Sequence, residues 1–195
     1  MKPNSSNGIQ AELLNSILAS VLLSIVIVSC SAKIPYAADY PLSEEVFRFR
    51  DSNLSGRIPS GWFVSGDDTL APSLSVWLVQ NDLSATLVIR ELLLDSLTAH
   101  RVRRDGLKLL AAASAAYQSG DISPAGENLK EFSLGRIKCC SYETGADNNR
   151  KRIVVFSALG KYYECEIRIL GNEWDTENIK RLISVQQTVL SSLTY

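Results

Sequence analysis

Few side chains in this 195-residue sequence are of a type and spacing to do chemistry: four cysteines, a single histidine and two basic clusters. Cys139 and Cys140 are adjacent, with Cys165 further along the chain. They lack the C-x₂₋₄-C spacing of a tetrahedral zinc site, and His100 alone would add a ring nitrogen. They also lack the C-x-x-C of a redox pair, which leaves the role of small buried hydrophobes, an unusual one for free thiols in an oxidising compartment. His100 has Asp95 and Asp105 five positions away on either side, off its helical face, and no G-x-S-x-G provides a serine for it. Neither an enzyme nor a cofactor or metal is expected. Arg101, Arg103, Arg104 and Lys108 form one basic cluster and Arg150-Lys151-Arg152 the other. Both read as solvated faces; the docking candidates are Arg101, Arg104 and Lys108, which would meet anionic headgroups or an acidic partner. Trp62, Phe63, Trp77 and Trp174 read as core and staple residues rather than a ligand cage. With 20 basic and 21 acidic residues the chain has a formal charge of −1, without the basic excess of a nucleic-acid binder.

The fourth cysteine, Cys30, follows Ile17 to Val28 (ILASVLLSIVIV), an apolar run of twelve residues. That is the length of a signal-peptide core, whereas a spanning helix needs about 20 residues. The junction Ile27-Val28-Ser29-Cys30 resembles the bacterial lipoprotein signal, the lipobox. The resemblance implies that the Cys30 thiol receives a diacylglycerol, that cleavage falls between Ser29 and Cys30, and that the new amino group is acylated, palmitate being the expected chain. Two or three acyl chains, at about 0.8 kcal/mol per buried CH₂, form a stable anchor. The sequence departs from the pattern in its long first region, where Lys2 and Glu12 cancel; the other reading is an uncleaved signal-anchor helix. Residues 31 to 45 carry two prolines and no apolar period. They read as a tether with a reach of roughly 20 Å as a flexible coil.

The elements expected beyond the tether alternate in period. Val46 to Arg50 alternates apolar and charged residues as a half-buried strand does. Pro59 and Gly61 shape a turn that returns Trp62 and Phe63 to the fold. Leu74 to Gln80 and Ala85 to Leu92 flank Asn81-Asp82 as a hairpin. From Leu93 to Tyr117 the spacing of three and four predicts one helix burying Ala99, Val102, Gly106, Leu109, Leu110, Ala113, Ala116 and Tyr117, with Arg101, Arg104 and Lys108 outside. Glu131 to Tyr142, Arg152 to Leu159 and Tyr162 to Leu170 predict an antiparallel meander. A closing helix runs from Thr176 to Leu193, capped by Asp175 and stapled by Trp174 on Ile179. The expected fold class is α+β: an antiparallel sheet of about six or seven strands packed with two main helices and preceded by a signal helix. Residues 1 to 29 are the signal peptide, 30 to 45 the lipidated Cys and tether, and 46 to 195 one domain.

The P-x-G-W turn at Pro59, Ser60, Gly61 and Trp62, together with a closing helix after an aromatic strand containing Tyr162 and Tyr163, resembles the PsbP and DcrB-like group. That resemblance covers Val46 to Tyr195. It implies an antiparallel sheet with helices against it, no shared catalytic residues, and an accessory or scaffolding place in a membrane complex. The function expected is that of a membrane-tethered, non-catalytic lipoprotein on the extracytoplasmic side of the bacterial cell envelope. Its partners would be the bilayer, through acylated Cys30, and a membrane or envelope protein. The alternative is a small-ligand binder or enzyme with a pocket between sheet and helix.

Overall fold

The computed structural model describes residues 37–50, 52–66, 73–119, 128–145, 151–170 and 175–195. The signal segment, Ser29, Cys30, Arg150 and Trp174 lie outside them. The strands are β1 (Leu42–Arg48), β2 (Ser55–Pro59), β3 (Trp62–Val64), β4 (Leu74–Gln80), β5 (Ala85–Glu91), β6 (Lys130–Leu134), β7 (Ile137–Thr144), β8 (Lys151–Ala158) and β9 (Lys161–Ile169). The helices are α1 (Ser96–Asp105), α2 (Leu107–Ser119) and α3 (Thr176–Ser191). The class is α+β, as expected. Strands β3 to β9 form one antiparallel sheet in the order β3-β4-β5-β9-β8-β7-β6, and β1 pairs with β2 in a separate ribbon.

Side chains alternate across a strand, so β8 shows what lies on each face. Val154, Phe156 and Ala158 join a core completed by Phe47, Phe49, Leu54 and Ile58 near the ribbon and by Leu182, Val185, Val189 and Leu190 of α3. Ile153 and Val155 join Cys140, Tyr142 and the α1 and α2 residues Val102, Leu107, Leu110, Ala111 and Ala115. With both faces covered, β8 reads as an unbroken apolar run rather than an alternating one. Gly56 of the ribbon is closely packed, an added Cβ meeting the Phe47 ring of β1 at 2.5 Å and Leu193, just past the end of α3, at 3.0 Å.

Three expectations need correction. The helix of Leu93 to Tyr117 is two helices, because Gly106 adopts φ 86°, ψ 176° and ends α1, a conformation open essentially to glycine alone. The period restarts after the break, so α2 buries Leu107, Leu110, Ala111 and Ala115. Leu109 and Tyr117, expected inside, are 41% and 88% exposed. The strand of Glu131 to Tyr142 is a hairpin: Gly135, at φ 57°, opens a two-residue turn between β6 and β7, the place where such turns require glycine. The first strand begins at Leu42, so residues 42 to 45 of the expected tether belong to the fold. Tyr40 is tied down as well, its N–H donating to Thr188 Oγ1 of α3 at 3.1 Å.

Helix α3 is capped as expected, the Asp175 carboxylate accepting from the Asn178 N–H at 2.7 Å. Its buried face holds an unexpected polar residue, Gln186, with no exposed surface. The Gln186 amide donates to the Arg152 and Cys165 carbonyls at 3.2 and 2.8 Å, and its oxygen accepts from Arg152 Nη1 at 2.6 Å. Arg152 Nη2 reaches Ser141 Oγ at 3.3 Å, and the guanidinium carbon lies 5.5 Å from the centre of the Phe132 ring. Removing an acceptor from a buried cation costs about 2 kcal/mol. Gln186→Leu is therefore expected to lower stability by about that amount, read as a fall in urea midpoint at unchanged slope; an unchanged midpoint would mean that the clamp adds nothing.

Candidate functional site

The docking candidates on α1 and the start of α2 are on the surface: Arg101, Arg104 and Lys108 are all exposed, as is Arg103. Arg104 forms a two-pronged pair with Asp105, Nε to Oδ1 at 2.7 Å and Nη2 to Oδ2 at 2.9 Å. The Arg104 hydrogen bond, followed by the charges of Arg104, Arg101 and His100, holds the Asp105 carboxyl below its ordinary range. Asp95 caps α1 by accepting from the Thr98 N–H and hydroxyl at 2.9 and 2.7 Å. His100 is exposed on the same helix.

The second basic cluster dissolves in the structure. Lys151 and Arg152 are neighbours in a strand and point to opposite faces; their side chains serve different networks. Arg152 belongs to the α3 clamp and is 5% exposed, so this pair offers no docking surface.

The face that carries α1 and α2 instead assembles a group of ionisable residues that spacing did not predict. Glu164 and Glu166 of β9 are 4% and 3% exposed. Opposite them in β5 stand Arg90 and Val88. Glu166 accepts from Arg90 Nη2 at 2.9 Å, Lys151 Nζ at 3.4 Å and Arg168 Nε at 2.8 Å, and Arg168 Nη2 is a further close donor. Glu164 accepts from Ser114 Oγ at 3.1 Å and Gln118 Nε2 at 3.4 Å, both on α2. Since the single Ser114 proton is directed to Glu164, the Tyr142 hydroxyl, 2.6 Å from Ser114 Oγ, is the donor of that pair. Burial raises the Tyr142 phenol against the opposing Ser114 bond, which keeps it protonated for that purpose. Lys151 completes the group by donating to Gln118 Oε1 at 2.8 Å.

Three cations thus surround two carboxylates, and two α2 side chains are drawn into the lattice. The arrangement fixes α2 to the sheet. Ser114 has carboxylate and phenol neighbours but no imidazole, since His100 faces solvent on α1. Among the described residues no group of three or more His, Cys, Asp or Glu is placed to hold a metal. The signal for this lattice in the sequence is the run Glu164-Cys165-Glu166-Ile167-Arg168, whose period of two puts three charges on one face of a strand that is otherwise apolar.

The thiols are where the meander places them. Cys139 and Cys140 lie opposite Phe156 and Val155, and Cys165 opposite Val154, so β8 separates β7 from β9. All three are buried and free. Burial pushes the Cys139 thiol up to about 12 and Cys140 up to about 11, and it raises Cys165 as well. Trp62 is buried at the start of β3, Trp77 is half-buried in β4, and Phe63 is 41% exposed.

No protein-family model matches the sequence, and no curated protein matches it at a significant level. Among solved structures the chain is similar to cyanobacterial PsbP (CyanoP) of Synechocystis sp. PCC 6803, at 17% identity and a TM-score of 0.45, over 86% of this chain and 98% of that one. It is also similar to LpqN of Mycobacterium tuberculosis, a protein involved in cell envelope biogenesis, at 9% identity and a TM-score of 0.43, over 77% of this chain and 90% of that one.

Two measurements probe the site. For Glu166, burial raises the carboxyl, but the Arg168 hydrogen bond and the charges of Arg168, Lys151 and Arg90 outweigh it and hold the group below its ordinary 4.5. A depressed folded-state value means that the stabilisation is complete above the ordinary value and is lost as pH falls through the folded one. Arg90 and Arg168 are 35% and 42% exposed, so solvent screens their share. Glu166→Gln is expected to cost about 2 kcal/mol at pH 7, with the gap from the wild type closing in urea titrations as pH falls below the ordinary 4.5 and through the depressed folded-state value; a gap independent of pH would remove the charge from the explanation. As for sulfur, a thiol reagent at pH 8 is expected to leave the native chain unlabelled at Cys139, Cys140 and Cys165. Unfolding without reductant should expose all three, with Cys30 counted in addition only if it is not acylated. A count of one from the described cysteines would require a bridge across β8 and a different strand order.

Proposed function

We propose that the chain is a membrane-tethered, non-catalytic module of the bacterial cell envelope, held on the extracytoplasmic side through acylated Cys30 and serving as an accessory subunit of a membrane protein complex. The observation that carries this reading is the contrast between its two sets of charges. The buried set around Glu166 is closed by its own ion pairs and holds α2 in place. The other set, Arg101, Arg103, Arg104 and Lys108, is presented outward on α1 and the start of α2. Groups with nucleophilic chemistry point the same way: the thiols are buried and held protonated, and a general acid–base role would need His100 beside a substrate cleft rather than on an exposed helix. Tethering raises the effective concentration of the domain toward partners in its own membrane, so a modest contact surface suffices.

Small-ligand binding between sheet and helix would rest, among the described residues, on a recess with a cavity volume of only about 20 Å³ where Ile179, Leu182 and Ile183 of α3 face Ile167 and the start of β8. The cations at its rim are already committed, Lys151 and Arg168 to Glu166 and Arg152 to Gln186, which favours the contact reading.

Co-purification from detergent-solubilised membranes tests the proposal. The full chain is expected to bring down a stoichiometric membrane or envelope protein, and Cys30→Ser to abolish acyl labelling and leave an unprocessed precursor. His100→Ala is expected to leave function intact, while reversal of Arg101, Arg104 and Lys108 to Glu weakens association with membranes or partner without unfolding. Loss of function in His100→Ala with folding preserved would replace this reading with the enzyme one.

A further inference from the structure

Helix α1 is attached to the fold by few side chains. Of its ten residues, only Val102 is buried. On the far side from Val102, Leu97, Arg101 and Arg104 follow at spacings of four and three, a single outward stripe. Leu93 lies just before the helix and is 88% exposed, Leu97 is 60% exposed, and Lys108 is exposed just past the break at Gly106. The acidic groups of α1 and its cap are spent locally: Asp95 on the helix cap and Asp105 on Arg104. Arg101, Arg103 and Lys108 remain to give this surface its positive charge.

We infer that this outward stripe of α1 lies on the anionic headgroups of the membrane to which the chain is tethered, Leu93 and Leu97 entering the boundary with the acyl chains and the basic residues resting among the phosphates. The inference rests on the tethering in the proposed function and adds the surface and its ligand. Two observations select a lipid surface over an acidic protein. An acidic patch would satisfy the cations and leave two exposed leucines in water, whereas a bilayer interface takes both, with arginine stems lying along the apolar layer and their heads in the polar one. The chain also confines the domain: Tyr40 is fixed to α3, and nine residues separate it from the acylated Cys30 of the proposed tether. Even fully extended, this stretch spans at most about 36 Å, within which the domain has room to turn α1 to the bilayer but not to leave it.

The test is hydrogen–deuterium exchange of the full chain in nanodiscs of phosphatidylcholine alone and of phosphatidylcholine with 30 mol% phosphatidylglycerol (roughly the anionic share at which basic residues near a surface gain appreciable attraction). Exchange of residues 93 to 108 is expected to be slowed roughly tenfold or more in the anionic discs. Protection should vanish toward 1 M salt, where the Debye length is about 3 Å. It should be lost in the variant with Arg101→Glu, Arg104→Glu and Lys108→Glu, and reduced in Leu93→Ser with Leu97→Ser, while β8 and β9 exchange as in the wild type. Equal exchange of this segment in the two compositions overturns the inference without any variant. Protection that appears only when a co-purified protein is added assigns the stripe to an acidic protein and leaves the proposed function standing. A chain that fails to associate with discs of either composition removes the tethering itself.

Discussion

The buried contact between Arg152 and Gln186 holds α3 in register on the sheet. Removing either partner alone is costly, because a guanidinium inside a core needs acceptors and the strand carbonyls beside α3 need donors. Gln186 does both at once: its oxygen accepts from Arg152 while its amide caps the Arg152 and Cys165 carbonyls. One helix residue thereby fixes α3 over β8 and β9, the two central strands on that side of the sheet. The position of α3 then decides where the β1–β2 ribbon can lie, since Ser55 and Thr194 exchange backbone hydrogen bonds at 3.0 and 2.9 Å beyond the helix end. Tyr40 is hooked to the same helix.

The opposite face is organised by charge rather than by a clamp. Helix α2 is partly alanine-rich and small, which allows close approach to β7 and β8 but limits the apolar area it can bury. The ion pairs around Glu166, with Ser114 and Gln118 reaching down to them, add the directionality that small side chains lack. Because these charges neutralise one another inside, the outward charge on α1 is left as a separate feature of the molecule, free to be matched by something external.

The parts of this fold that were legible in the sequence are those in which one local rule decides. The hairpin of β4 and β5, the order of β8 and β9, the Asp175 cap and the separation of the thiols by β8 all follow from period and turn chemistry. The misreadings come from glycines with dual meanings. Gly106 fits an apolar helical period as a small buried residue, and only its backbone conformation reveals it as a break that rotates the buried face of α2 relative to that of α1. Gly135 sits within a run that reads as continuous strand. The buried charges were missed for another reason: Arg90 and Glu166 are 76 positions apart, and no local pattern reports that a charged alternation in β9 will face another strand's arginine. Gln186 is hidden likewise, since a glutamine between apolar helix residues is indistinguishable from a surface one until its carbonyl partners are in place.

The strand order also has a consequence in time. Strand β5 pairs with β9 rather than with the strand that comes next in sequence, so the β4–β5 hairpin cannot join the rest of the sheet until residues up to Ile169 are available. The core face of that sheet stays uncovered until α3 arrives. Contacts of such sequence separation slow folding, and a chain emerging from its amino-terminal end must wait with an apolar hairpin exposed for most of its length. A molecule built this way leaves the joining of its two hairpin regions, and the covering of one sheet face, to the last third of the chain, when β9 and α3 have been made.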